Sequence, residues 1–175
     1  KFYGLNGVGV LLRRRSVPLR PLIHGGASTT DVRSGTPAVA LAQSLACALE
    51  LADGERNARN AVVRRHNERL RRALAAYPFV HINSPEDAVP HILNLSVEGV
   101  KGTVIQRELD KLGVCVSVKS ACSTDGLPSA AVMAVCGDRR RALSSWRVSL
   151  SHLTTDAEID GFLGAFDRVC RALVN

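Results

Sequence analysis

Near its start the chain carries an apolar run without polar alternation, Gly7-Val8-Gly9-Val10-Leu11-Leu12-Arg13, the pattern of a strand buried on both faces. From residue 15 to residue 36 no period survives. Pro18, Pro21, Gly25, Gly26, Ser34 and Gly35 punctuate a long loop, and loops of that length tend to carry function. Thr36-Pro37 then predicts an N-cap with proline at the first helical position. The spacing Val39, Leu41, Ala42, Leu45, Ala46, Leu49 predicts a helix to about Ala52, interrupted by Asp53-Gly54. A charged helix follows, with Val62, Val63, Leu70 and Leu74 inward and Arg59, Arg65, Glu68 and Arg72 outward, ended by Tyr77-Pro78.

Short strands and helices alternate after that. Residues 80–83, 91–97, 114–118 and 146–151 read as strands, and 102–112 and 129–135 as helices. Thr154-Thr155-Asp156-Ala157-Glu158 reads as a helix start, with Ile159, Phe162, Phe166, Val169 and Leu173 as the buried stripe. The pattern is that of an α/β chain without internal repeats. The early strand is the anomaly, because a doubly buried strand needs neighbours and no segment upstream supplies them.

Composition narrows the function classes. Hydrophobic residues at 46% can form a core, and 22% charged residues argue against disorder. The apolar runs are far too short to span a bilayer. Aromatics at 4% weigh against a base-stacking platform, so direct nucleic-acid binding is not expected. The net charge of +7 comes from dispersed arginines, with short runs at Arg13, Arg14, Arg15 and at Arg139, Arg140, Arg141. No aromatic interleaves with them, which favours solvated helix and strand ends over a polyanion surface. Five cysteines, with no C-x-x-C and no Cys/His cluster at zinc spacing, predict neither a disulfide framework nor a metal site. Cys47 and Cys170 fall on apolar helix faces, where the thiol acts as a small hydrophobe. The start carries no leader-like pattern, and the expectation is a cytoplasmic protein with reduced thiols.

Four segments could carry chemistry. Ser120-Ala121-Cys122-Ser123 follows a predicted strand and leads into Thr124-Asp125-Gly126; Cys122 is either a nucleophile favoured as thiolate by Lys119 or an incidental surface thiol. Arg147, within Trp146-Arg147-Val148-Ser149-Leu150, either meets an anion or belongs to an ion pair or an edge strand. His24-Gly25-Gly26 and Arg33-Ser34-Gly35-Thr36 offer close backbone approach and a helix N-terminus suited to an anion, although capping alone also accounts for Thr36. Lys1, just before the buried run, could serve as an amine nucleophile.

In chain order these segments resemble the cysteine desulfurases, pyridoxal-phosphate enzymes of the class V aminotransferase family. Lys1-Phe2-Tyr3-Gly4-Leu5-Asn6-Gly7-Val8-Gly9 is similar to K-x-Y-G-P-K-G-x-G, whose lysine carries the cofactor. His24-Gly25-Gly26 and Arg33-Ser34-Gly35-Thr36 resemble the H-G-G and R-S-G-T motifs. Pro90-His91-Ile92-Leu93-Asn94-Leu95-Ser96 resembles P-N-I-L-N-V-S, and Ser120-Ala121-Cys122-Ser123 the persulfide-forming S-A-C-[ST] loop. Ser145-Trp146-Arg147-Val148-Ser149-Leu150 resembles S-x-R-x-S-L, and Thr154-Thr155-Asp156-Ala157-Glu158-Ile159-Asp160 resembles T-T-x-E-E-I-D. The resemblance covers essentially all 175 residues. Departures are Leu5-Asn6 for Pro-Lys, Ala27 to Asp31 for Gly-Gln-Glu-Arg-Gly, Val118-Lys119 for serine and glycine, a loop one residue shorter before Pro128, and Ser151-His152 where glycine is frequent.

The resemblance implies a fold-type I architecture: residues 1–52 as the end of the large cofactor domain and 53–175 as the small C-terminal α/β domain bearing the cysteine loop. It implies that Lys1 holds pyridoxal phosphate, that Arg147 binds the carboxylate of L-cysteine, and that Cys122 takes the sulfur as a persulfide while alanine is released. Thr36 would reach the cofactor phosphate of the opposite subunit of a homodimer, with His24 and Arg33 ordering the nearby loop. Family residues that stack on the pyridine ring precede the lysine, so this chain alone is expected to be catalytically incomplete. The sulfur acceptor would be a scaffold or carrier protein of iron–sulfur assembly, tRNA thiolation, DNA phosphorothioation or thio-cofactor synthesis. The alternatives are another class V aminotransferase or lyase, in which Cys122 has no role, and a basic interaction domain recognised by salt-dependent binding.

Overall fold

In the computed structural model, which describes residues 2–26, 30, 32–118 and 127–174, the alternation in Ile92-Leu93-Asn94-Leu95-Ser96-Val97 becomes a strand with two different faces. This strand, β2 (Ile92–Val97), lies between β1 (Val80–Ile82) and β3 (Ser145–Ser149) in an antiparallel sheet of order β1-β2-β3. Contacts divide the chain into two compact units, Lys1–Arg56 and Asn57–Asn175, and the sheet belongs to the second.

In that second unit Leu93, Leu95, Val97, Trp146 and Val148 form one buried cluster with residues of α2 (Arg56–Leu74), α3 (Gly102–Asp110) and α6 (Asp156–Leu173). The α2 contribution is Val63, Leu70 and Leu74, as the spacing predicts, with His66 and Asn67 also buried. Trp146, Phe162 and Phe166 meet with ring centroids 5.6 to 6.2 Å apart, and Tyr77 stands edge-on to Phe166 at 5.5 Å. The few aromatics of this unit are thus spent on its core. Gly102 opens α3 against β3: a Cβ there would stand 2.3 Å from the Ser145 carbonyl oxygen, so no larger residue fits.

Helix α6 starts on a capping box. Thr155 Oγ1 accepts from the Glu158 N–H at 3.2 Å, and Glu158 Oε2 accepts from the Thr155 N–H at 2.8 Å. The Thr155 backbone bond, then its hydroxyl, holds the Glu158 carboxyl below the usual carboxylate range. A carboxyl depressed on folding contributes stability above its unfolded pKa and loses it as the pH falls through the folded value. Loss of an N-cap hydroxyl typically costs about 1 kcal/mol, and Thr155→Ala should show a loss of that order in urea unfolding at pH 7, with the gap to wild type narrowing as the pH falls through the folded pKa of Glu158. A gap that stays constant down to pH 2 would contradict this reading of the cap.

The sequence expectations fail at four places. Residues 7–13 form no strand; Val10, Leu11 and Leu12 are exposed, because nothing among the described residues supplies a ladder for them. Thr36 does not cap a helix. An inverse γ-turn centred on Ala38 (φ −78°, ψ 78°), closed by the Val39 N–H on the Pro37 carbonyl at 3.0 Å, delays the helix, so α1 spans Val39–Gly54 and its N-cap is Ala38. Cys47 on α1 is exposed, not apolar filling. Within its own unit α1 is met along one line, where Leu5 N–H donates to Ser44 Oγ at 3.1 Å and Gly7 lies beside Leu41, and this buries none of its residues fully. Finally, residues 114–118 leave α3 through a left-handed Gly113 (φ 76°) and meet β3 by the single bridge Ser117–Arg147, not as a strand.

Candidate functional site

The sheet face opposite the core is polar, and register explains why. Asn94 of β2 pairs with Arg147 of β3, and the Asn83 N–H donates to the Asn94 carbonyl at 2.8 Å. On its other side Arg147 exchanges backbone bonds with Ser117, 2.6 and 3.1 Å long. Period-two geometry therefore sets Asn83, Asn94 and Arg147 in one row across the strands, while Leu93, Leu95, Trp146 and Val148 face the core. The row lines a cleft of about 610 Å³, walled on its far side by Ser129 and Val132 around the start of α4 (Ala130–Cys136).

Arg147 is half-buried in this cleft, and its Nε is buried with no hydrogen-bond partner among the described residues. No carboxylate pairs with it among the described residues, so the structural ion pair that would make such a burial tolerable is not found there. A buried guanidinium with an unfilled donor is matched chemically by an incoming anion, carboxylate or phosphate, presented in its fork. Val118 and Leu127 both line the same cleft; they flank residues 119–126, and Cys122 within that segment lies outside the described residues.

Behind the row is a network that sequence reasoning missed. Arg141, on α5 (Arg139–Leu143), donates through Nε to Asn83 Oδ1 and through Nη2 to the Ile82 carbonyl at 3.0 Å. Asn83 Nδ2 donates to Asn94 Oδ1 at 2.7 Å and to Ser96 Oγ at 2.8 Å, and Ser96 Oγ donates to the Arg141 carbonyl at 2.8 Å. The alternation of residues 92–97 was the available signal, since it places Asn94 and Ser96 opposite three apolar residues. The arginine run 139–141 is a solvated helix end only at Arg139 and Arg140.

In the first unit the two glycine-containing motifs meet. Ser34 donates to the Ile23 carbonyl through both N–H and Oγ, at 3.4 Å each, and a Cβ on Gly25 would approach the Ser34 Cβ to 3.0 Å. Arg33 is exposed and folds onto its own backbone, Nη1 donating to the Ser34 carbonyl at 2.7 Å, where a Cβ on Gly35 (φ +100°) would crowd it at 2.9 Å. His24 and Thr36 are exposed, and no side chain caps the first turn of α1, which holds no acidic residue. Lys1 lies outside the described residues.

Of the other described thiols, Cys170 is chemically unlike a nucleophile. Burial, then Asp167, pushes the Cys170 thiol up to about 11, so it stays protonated near neutrality, whereas Cys47 and Cys115 are exposed. Among the described residues no three His, Cys, Asp or Glu side chains gather as a metal site would need, and no helix is long and apolar enough to cross a membrane.

Comparison with known proteins adds an independent line. The family model described as Aminotransferase class-V matches residues 1–162. An IscS-like cysteine desulfurase of Mycobacterium tuberculosis is 36% identical over 98% of this chain and 46% of its own length. A NifS/IcsS protein homolog of Lactobacillus delbrueckii is 32% identical over 97% of this chain and 45% of its own. A solved NifS-like protein superposes with a TM-score of 0.84 at 32% identity, over 98% of this chain and 44% of that one. The chain thus spans about half the length of the curated relatives it matches.

Proposed function

Because the chain belongs to the aminotransferase class-V family, pyridoxal-phosphate enzymes of fold type I, we propose that the intact protein is a cysteine desulfurase that converts L-cysteine to L-alanine and passes the sulfur on as a persulfide of Cys122. In this reading residues 1–52 complete a large cofactor domain and residues 53–175 form the small domain carrying the cysteine loop. The observation that carries it is Arg147, a guanidinium with an unfilled buried donor, in a cleft whose wall includes both described flanks of the Cys122 segment.

The described residues fit the cofactor where they would touch it. Thr36 offers an exposed hydroxyl just ahead of a helix start that has neither a capping side chain nor a carboxylate to repel a phosphate. Lys1 would hold the cofactor covalently, and its amine would take the proton from the substrate Cα. Pyridoxal phosphate, when bound, supplies the electron sink for that chemistry. Arg147 would fix the substrate carboxylate by a charge-assisted, two-pronged contact. Cys122, as thiolate, would attack the substrate sulfur; the bond from sulfur to Cβ breaks with its electron pair left on the carbon side, Cβ gains a proton, and the Lys1 amine returns the proton to Cα, so that alanine leaves and the sulfur stays on Cys122 as the persulfide. Thr36 serves the cofactor phosphate of the opposite subunit, so the enzyme is a homodimer, with His24 and Arg33 ordering the loop.

The persulfide is delivered to an acceptor protein of iron–sulfur cluster assembly, tRNA thiolation or DNA phosphorothioation. A cytoplasmic setting accords with the free thiols Cys47, Cys115, Cys136 and Cys170. The test is turnover of L-cysteine by the cofactor-loaded intact protein with a thiol reductant present. Alanine and sulfide should appear one to one; formation of a keto acid without sulfide would assign the protein to the aminotransferases of the family instead.

A further inference from the structure

The polarity of the row beneath the cleft follows from one residue. Arginine can only donate, so Asn83 must turn its Oδ1 toward Arg141. That leaves the Asn83 amino group facing the other way, where its two protons go to Asn94 Oδ1 and Ser96 Oγ. Ser96 spends its own proton on the Arg141 carbonyl, closing the circuit. Asn94 is then held by its oxygen, and its Nδ2, with no partner among the described residues, is the group left over. Asn94 is half-buried, lines the cleft, and is the direct cross-strand partner of Arg147, which puts the two Cβ atoms about 5 Å apart. Beside the unfilled guanidinium the cleft thus presents a neutral donor whose orientation is fixed from behind. A carboxylate, with two acceptor oxygens and no donor, complements that pair.

We propose that Asn94 is a second substrate-binding residue, donating from Nδ2 to the carboxylate held by Arg147, and that Asn83 and Arg141 are positioning residues that keep its amino group, not its oxygen, turned to the cleft. The proposal rests on the reading of Arg147 as a carboxylate receptor.

The test uses the intact, cofactor-loaded protein and two probes: L-alanine, which has the carboxylate, and L-alaninol, in which a hydroxymethyl group replaces it. Dissociation constants are read from the cofactor absorbance. Asn94→Ala should weaken L-alanine roughly tenfold and leave L-alaninol within twofold. Asn83→Leu removes the amide that holds the Asn94 oxygen without placing a charge in the cleft, so the Asn94 amide is free to turn; L-alanine should weaken by a smaller factor than in Asn94→Ala, again with L-alaninol unchanged. Unaltered L-alanine binding in Asn94→Ala, or equal weakening of both probes, would overturn the proposal, and that variant decides the matter alone if Asn83→Leu does not fold. Arg147→Ala separates the two layers: if it weakens L-alanine while Asn94→Ala does not, only this proposal fails, and if it has no effect the carboxylate reading fails with it.

Discussion

Replacing Cys122 by serine in the intact protein should reduce alanine release from L-cysteine by at least about a thousandfold while cofactor binding is retained. The reaction requires a soft, ionisable nucleophile to take a sulfur atom, and a serine hydroxyl is neither ionised near neutrality nor able to form a persulfide. None of the described thiols of the second unit lines the Arg147 cleft. Cys170 is buried with its thiol pushed up to about 11, and Cys136 is partly buried and donates to the Val132 carbonyl at 3.1 Å. Cys115 is exposed but lines a different groove, beside Leu70 and Phe162. Alanine release within tenfold of wild type would place the chemistry elsewhere and favour a class V lyase in which Cys122 has no role.

Arg147→Ala should raise the KM for L-cysteine about a hundredfold, with kcat changing far less, because a two-pronged contact to a carboxylate made in both ground and transition states is lost. The variant is expected to fold. It removes no ion pair seen among the described residues, it relieves a buried Nε without a partner, and it leaves the Arg141–Asn83–Asn94 network intact. Arg147→Lys should recover only part of the loss, since a point charge replaces a planar fork. An unchanged KM in Arg147→Ala would mean that the cleft is not where the carboxylate docks.

Much of the second unit was legible in the sequence because its elements answer to local rules. The period-two pattern of residues 92–97, the stripe Ile159, Phe162, Phe166, Val169 on α6, and the Thr155–Glu158 capping box each specify themselves within a few residues. Arg147 could be singled out because a guanidinium in an apolar strand demands an explanation. What failed depended on partners or on torsion. Residues 7–13 have a strand's composition, but strands exist by pairing, and the described chain does not pair them. Thr36-Pro37 has the letters of a helix start, yet a γ-turn at Ala38 moves that start downstream. Arg141 was unreadable because its partners, Ile82 and Asn83, lie nearly sixty residues away, and only the sheet register brings them together. The family motifs named Lys1 and Cys122 with more specificity than any periodicity could, though both lie outside the described residues.

Transfer of sulfur from cysteine to Cys122 can be read directly. The intact, cofactor-loaded protein is mixed with L-cysteine without reductant, alkylated, digested, and its cysteine peptides weighed. One added sulfur atom is expected on the peptide containing Cys122 and none on those containing Cys47, Cys115, Cys136 or Cys170. Added sulfur on any of those four with Cys122 unmodified, or alanine formed with no persulfide on Cys122, would contradict it.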